Sequence, residues 1–209
     1  MVADRDRWAA ESLRLAWEDG VGGVWAGVAG SVVECRRICG RVRPGLLLVS
    51  GDLPGGCVWE CTRRIGADLP GGRIAVLLTE PTEVDLVRAW QVKPAAVLLR
   101  EEISLGGLVA ALRVIGSGRR VVSPRVVAGM KKLAQDARSW HRVLSARDQQ
   151  LLDWFATARN DAAIGERLGL RLHSVRTFRQ RLISRLDLHS TVELIRWART
   201  RGFGRRVEE

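Results

Sequence analysis

The stretch Asn160-NDAAIGERLGLRLHSVRTFRQRLISRL-Leu186 decides how the second half of this chain folds. Its first part, NDAAIGERLGL, reads as a short helix with Ala163, Ile164 and Leu168 facing inward, and Gly169 follows directly as the residue of a tight turn. LHSVRTFRQRLISRL then reads as a second helix, with Leu172, Val175, Leu182 and Leu186 on its apolar side and Ser174, Arg176, Thr177, Arg179, Gln180, Arg181 and Arg185 on the other. Two helices joined by a short glycine-containing turn make a helix-turn-helix. Residues 171–185 hold five arginines and no acid.

That one-sided charge points to double-stranded DNA and its major groove. Arg176, Thr177 and Gln180 lie close together near the start of the second helix. Arginine can bond bidentately to guanine, glutamine to adenine, and a threonine methyl can touch thymine. Arg179, Arg181 and Arg185 flank them as expected phosphate contacts, which position without specifying, and Ser174 completes the expected DNA-binding set. The bland alternative is a solvated basic face of an ordinary bundle.

Outward from this core, Ser145 precedes a periodic run and has Asp148 three residues on, an approximate capping box. The residues before it, 121–143, read as a Pro-started, mostly helical connector of mixed charge. Residues 190–201 read as a last helix with Val192, Ile195, Trp197 and Ala198 on its apolar side, which closes the bundle unless the family resemblance given below, which implies a role in dimerisation, holds for it.

The first 120 residues alternate strands and helices. GLLLVS (45–50), IAVLLT (74–79) and AAVLL (95–99) are continuous apolar runs of strand length, as suits strands buried on both faces of a parallel sheet. Between and after them, 57–66, 82–91 and 104–116 have helical apolar spacing, and a weaker strand is expected within 21–30. Strand, helix, strand at this spacing implies βαβ units.

Two resemblances cover nearly the whole chain. Residues 144–198 resemble the LuxR-type helix-turn-helix. The family's opening L-[ST]-x-R-E appears as Leu144-Ser145-Ala146-Arg147-Asp148, its T-V-K-x-H as Ser174-Val175-Arg176-Thr177-Phe178, and its K-L-x-V as Arg185-Leu186-Asp187-Leu188. The N-x-E-I-A motif becomes Asp161-Ala162-Ala163-Ile164-Gly165, without its glutamate, and the usual histidine is Phe178. The resemblance implies that Leu172–Leu186 is the recognition helix of a dimer.

RPGLLLVSGDLPGG (43–56) is similar to the phosphoacceptor stretch of NarL/FixJ-type receivers, with Pro54 and Gly55 fixing the register. The implied fold is a doubly wound, parallel, five-stranded receiver over 1–120, a helical linker over 121–143, and a four-helix DNA-binding domain over 144–209. In that register the phosphoaccepting position is Ser50, the acidic pair is Asp4 with Arg5, the lysine position is Arg100, and Thr79 is the hydroxyl residue. Asp52, two residues past Ser50, is the rival acceptor. One carboxylate beside an arginine is a poor Mg²⁺ site, so this pocket reads as vestigial and the domain as a pseudo-receiver used for pairing or for a protein partner. Only Met1-Val2-Ala3 precede Asp4, so either the first strand is stunted or the true start lies upstream of the given one.

Cys35/Cys39 and Cys57/Cys61 each read as an i, i+4 pair on a helix. They are either small buried residues against the sheet, or a thiolate quartet for zinc, an iron–sulfur centre or a redox switch. Of the eight tryptophans, most are expected in cores or interfaces, with Trp90 a candidate dimer contact; His141, His173 and His189 read as surface residues.

The chain has 209 residues and a formal net charge of +11. Residues 141–209 carry 14 basic and 8 acidic side chains, and the first 140 carry 20 and 15, so the excess is denser towards the C-terminus. Hydrophobic residues at 46% exclude a mostly disordered chain. No apolar run reaches the ~20 residues of a membrane span, and no signal peptide is evident, so a cytoplasmic location is expected. A Gly-rich phosphate loop, a nucleophile–His–carboxylate set and H-E-x-x-H are all missing, and neither an enzyme nor a cofactor is expected.

Overall fold

The computed structural model describes residues 1–20, 24–136, 139–157 and 159–205, and the backbone alone at 19 and 20. Its described residues divide into two compact units: Met1–Pro81 with Asp85–Lys131, and the residues from Lys132 to Arg205 with the short Thr82–Val84 segment.

The first unit is a parallel sheet covered by helices on both faces. Its strands are β1 (Val2–Ala3), β2 (Val28–Ala29), β3 (Leu46–Ser50), β4 (Arg73–Leu78), β5 (Ala96–Leu99) and β6 (Val121–Val122), in the order β2-β1-β3-β4-β5-β6. The helices are α1 (Arg7–Gly20), α2 (Val32–Val42), α3 (Val58–Asp68), α4 (Glu83–Val92), α5 (Leu105–Gly116) and α6 (Pro124–Gln135).

Why β3, β4 and β5 are apolar throughout is visible in how their side chains divide. Leu47, Val49, Val76, Leu78, Val97 and Leu99 face one core, with Cys35, Cys39, Trp59, Cys61 and Ile65 from α2 and α3. The alternate residues Leu48, Ala75, Leu77, Ala96 and Leu98 face the other, with Ala10 and Leu13 of α1 and Leu108, Leu112 and Ile115 of α5. A strand buried on both sides cannot alternate apolar with polar. Caps set the helix starts: Ser31 accepts from Glu34 N at 3.2 Å for α2, and Ser104 from Gly107 N at 3.1 Å for α5.

The sheet has six strands rather than five. The sixth, β6, lies in the stretch read as connector, where Val121 N donates to Ala95 O at 3.1 Å and Ser123 N to Val97 O at 2.9 Å. Two residues leave no periodicity to detect. The weak strand expected within 21–30 is the two-residue β2, and 21–23 lie outside the described residues. The first strand is indeed short, and it is central, between β2 and β3.

Three of the four cysteines are buried core residues. Hydrogen bonding with Cys39 and Cys61, together with burial, pushes the Cys35 thiol well up. Cys57 corrects the reading of two helical pairs: it is the extended residue before α3 rather than a residue on it, and its sulfur accepts from Arg88 Nη1 at 3.5 Å. Among the described residues no three His, Cys, Asp or Glu side chains are placed to hold a metal ion.

Trp59 is buried and donates to Asp85 Oδ1 at 2.8 Å. Trp8, by contrast, is 85% exposed, and Trp90 is 45% exposed.

The second unit adds α7 (Trp140–Val143), α8 (Ala146–Ala156), α9 (Asp161–Leu168), α10 (Leu172–Arg185) and α11 (Thr191–Arg201). Its buried centre includes Leu151, Leu152, Phe155, Ile164, Val175, Leu182, Leu194 and Ala198. The buried stripe of α11 is Leu194 and Ala198, whereas Val192 is 66% exposed, so this helix packs on α8 by a face one step round from the expected one. Trp140, Trp197 and Phe203 form an aromatic group with ring centroids 5.0–6.4 Å apart. Among the described residues no helix is long and apolar enough to cross a membrane.

Candidate nucleic-acid interface and sheet-edge pocket

Side-chain caps set the starts of α8, α9 and α11. Ser145 and Asp148 form a full capping box, with Asp148 N donating to Ser145 Oγ at 3.1 Å and Ser145 N to Asp148 Oδ2 at 2.9 Å. Asn160 caps α9 through Ala163 N at 2.8 Å. Gly169 ends α9 in the left-handed conformation (φ 62°), and Leu170 N returns to Gly165 O at 2.7 Å. A Cβ on Gly165 would stand 2.6 Å from Leu170 O, so α9 meets the turn backbone to backbone. This junction sets the angle between α9 and α10.

With Val175, Leu182 and Ile183 of α10 buried, the opposite side of the helix faces out. Arg176, Thr177, Gln180, Arg181, Ser184 and Arg185 are exposed there, and the last five line a shallow concavity. The Thr177 hydroxyl donates to His173 O at 2.9 Å, which leaves its methyl as the group on offer to a partner. Leu172, expected inward, is 41% exposed; Ile183 takes the buried place.

The expected contact residues therefore separate. Arg176, Thr177, Gln180 and Arg181 share the exposed face. Ser174 is half-buried. Arg185 is exposed but donates to Asp148 Oδ2 at 2.7 Å, joining the capping box of α8. Arg179 turns into its own domain: its Nη2 pairs with Asp161 Oδ1 and its guanidinium lies 5.0 Å from the Phe155 ring centre. Burial pulls its pKa down from the ordinary arginine value. The geometry places Arg179 in a pair within its own domain rather than on the exposed face of α10. Sequence spacing put it on the basic side of α10, but the acid that claims it stands on α9, at a distance no local pattern encodes.

Residues 142–198 match the luxR family of bacterial regulatory proteins. The second unit carries a LuxR-type helix-turn-helix. Relatives extend the likeness to the whole chain. Response regulator UvrY of Escherichia coli K12 is 26% identical over 198 residues, 93% of this chain and 90% of its own. Response regulator GacA of Pseudomonas aeruginosa is 25% identical over 167 residues, 77% and 76%. Among solved structures, the RcsB response regulator of Salmonella typhimurium superposes with a TM-score of 0.65 at 15% identity over 95% of both chains. RcsB dimers bound to two parallel DNAs give 0.58 at 15% identity over 95% of this chain and 96% of theirs. The first unit thus has a receiver-like fold and the second a LuxR-type DNA-binding domain, and the relatives matched along the chain are response regulators.

In the receiver fold, β1 lies where the winding of the sheet reverses, and the crevice at the carboxyl ends of the strands beside it is the usual ligand position of such sheets. Residues at these ends carry the expected pocket. Asp4, after β1, is 7% exposed; its Oδ2 accepts from Arg100 Nη2 at 2.8 Å and its Oδ1 from Asp6 N at 2.9 Å. Arg100 follows β5, the strand three places across from β1. Ser50 is buried at the end of β3. Thr79, after β4, donates from Oγ1 to Asp52 Oδ2 at 2.9 Å, in the loop after β3. Arg5 is exposed. The sequence named all six residues but not the two pairings, Asp4 with Arg100 and Asp52 with Thr79.

Proposed function

We propose that the chain acts as a homodimer, each protomer laying α10 in the major groove over one half-site of a two-half-site operator, with residues 144–209 as the DNA-binding domain. Arg176, Thr177 and Gln180 read bases; Arg181 contacts phosphate. The observation that carries this is the exposed face of α10, where two bidentate-capable side chains and a methyl stand together on a helix whose other side is buried. Dimers in the RcsB–DNA structure support the stoichiometry, since a two-fold protein matches a two-fold operator.

The receiver-like domain, residues 1–120, works without aspartate phosphorylation and serves pairing or partner binding, with 121–143 as linker. A hard divalent cation needs several oxygen ligands. The residues here do not fit it, because Asp4 already carries Arg100 and the neighbouring Arg5 adds repulsion rather than a ligand. Ser50 offers a buried hydroxyl in place of a carboxylate nucleophile, and the Asp52 carboxylate is held by Thr79.

Selection of bound fragments from random duplex DNA tests the first part: a two-fold motif is expected, and a lack of sequence preference would overturn it. Acetyl phosphate or BeF₃⁻ with Mg²⁺ tests the second: oligomeric state and operator affinity are expected to stay unchanged, and a shift in either would overturn it.

A further inference from the structure

Asp161 is the first residue of α9, in the turn where a carboxylate suits the helix dipole, and its side chain is only 11% exposed. Two arginines of α10 one turn apart face it. Arg179, 21% exposed, pairs through Nη2 with Asp161 Oδ1, and Arg176, 68% exposed, places Nε 3.8 Å from Asp161 Oδ2. The three side chains line one cavity of about 450 Å³ with Phe155, over whose ring the Arg179 guanidinium is stacked. Arg179 Nε is buried with no hydrogen-bond partner, so this guanidinium is held by one carboxylate and one ring.

A carboxylate at this spot is unexpected beside a surface that meets a polyanion, because it repels phosphate. It must therefore be weighed against what it does to its two cations. An arginine paired and stacked inside its own domain releases no counterion on DNA binding, and that release drives sequence-independent affinity. An arginine tethered at one end but mostly exposed keeps a restricted set of rotamers, which favours a bidentate contact over loose phosphate binding.

We infer that Asp161 is a specificity-positioning residue: it withdraws Arg179 from the phosphate-contacting set and steadies Arg176 towards base edges, trading sequence-independent affinity for discrimination. This rests on the reading of α10 as the base-reading helix.

The experiment measures affinity against salt concentration for the full-length protein on its selected operator and on non-specific duplex. With Asp161→Asn, which nearly preserves shape, one additional phosphate contact is expected. The salt slope then steepens by about 0.9, equivalent to about 3.5-fold more affinity lost between 50 and 200 mM salt. The operator-to-non-specific ratio is expected to fall about fivefold as Arg176 loosens. A slope or a ratio equal to wild type overturns the inference. Arg179→Met keeps apolar contact with Phe155 and removes the charge; its slope is expected to match wild type, and a slope shallower by about 0.9 would show that Arg179 touches phosphate after all. This second variant decides the matter if Asp161→Asn does not fold. If the wild-type protein shows no sequence preference, the base-reading assignment fails, while the slopes on non-specific duplex still decide whether Asp161 withholds Arg179.

Discussion

The carboxyl edge of the sheet and the outward face of α10 both gather arginines beside acids, and they use them in opposite ways. At the carboxyl ends of the strands, Arg100 reaches across to the buried carboxylate of Asp4, so that charge is cancelled where a receiver would concentrate it. On the second unit, Asp148 and Asp161 take up Arg185 and Arg179, yet Arg176 and Arg181 remain largely exposed beside Gln180. The lesson is that a count of cations does not measure the charge offered to a partner. Of the five arginines in 171–185, the geometry leaves fewer than five for DNA, and which ones are left depends on acids contributed by other helices.

Four substitutions put this contrast to the test. Leu182→Ala removes a fully buried side chain of α10 and is expected to cost about 2–5 kcal/mol in the stability of the helix-turn-helix, read by denaturant unfolding. If the receiver-like unit melts with it at the same midpoint, the two regions are not separately stable. Arg176→Ala is expected to cost about 1–3 kcal/mol in operator affinity with little change on non-specific duplex, read by titration of both DNAs. An equal loss on both would class Arg176 with the phosphate contacts. Ser145→Ala removes the α8 cap and one of the donors to Asp148, for about 1 kcal/mol of stability; an unchanged melting temperature would mean that Arg185 and the backbone N–H of residue 145 suffice to hold that carboxylate. Arg100→Gln, at the sheet edge, is expected to cost no more than about 1 kcal/mol of stability, because Arg100 is partly exposed and the pair is screened. It should leave operator affinity unchanged, and a change there would tie the sheet edge to DNA binding.

What the sequence disclosed follows from how local each signal is. β3, β4 and β5 are legible because burial on two faces forces uninterrupted Leu, Val, Ala and Ile. The capping box at Ser145 and the left-handed stop at Gly169 are legible because a cap is a short-range pattern. β1, β2 and β6 are two residues each, too short for any period, and are strands only because neighbours supply hydrogen bonds. Cys57 sat at a helical interval from Cys61, but α3 begins one residue later. The same limit governs the candidate interface: α10 revealed its basic side through its own 3.6-residue period, while the fate of Arg179 was written at Asp161, and that of Arg185 at Asp148, 37 positions away.

The backbone junction at Gly165 has a consequence for how such a protein diversifies. Because α9 touches the turn through a position with no side chain, against a carbonyl rather than another side chain, the hinge geometry is independent of the residues that α10 presents outward. Positions 176, 177 and 180 can therefore be exchanged to recognise new operators without re-engineering the scaffold, whereas in this chain a Cβ at 165 requires the Leu170 carbonyl to shift. Retargeting is thus open at the tips and closed at the pivot.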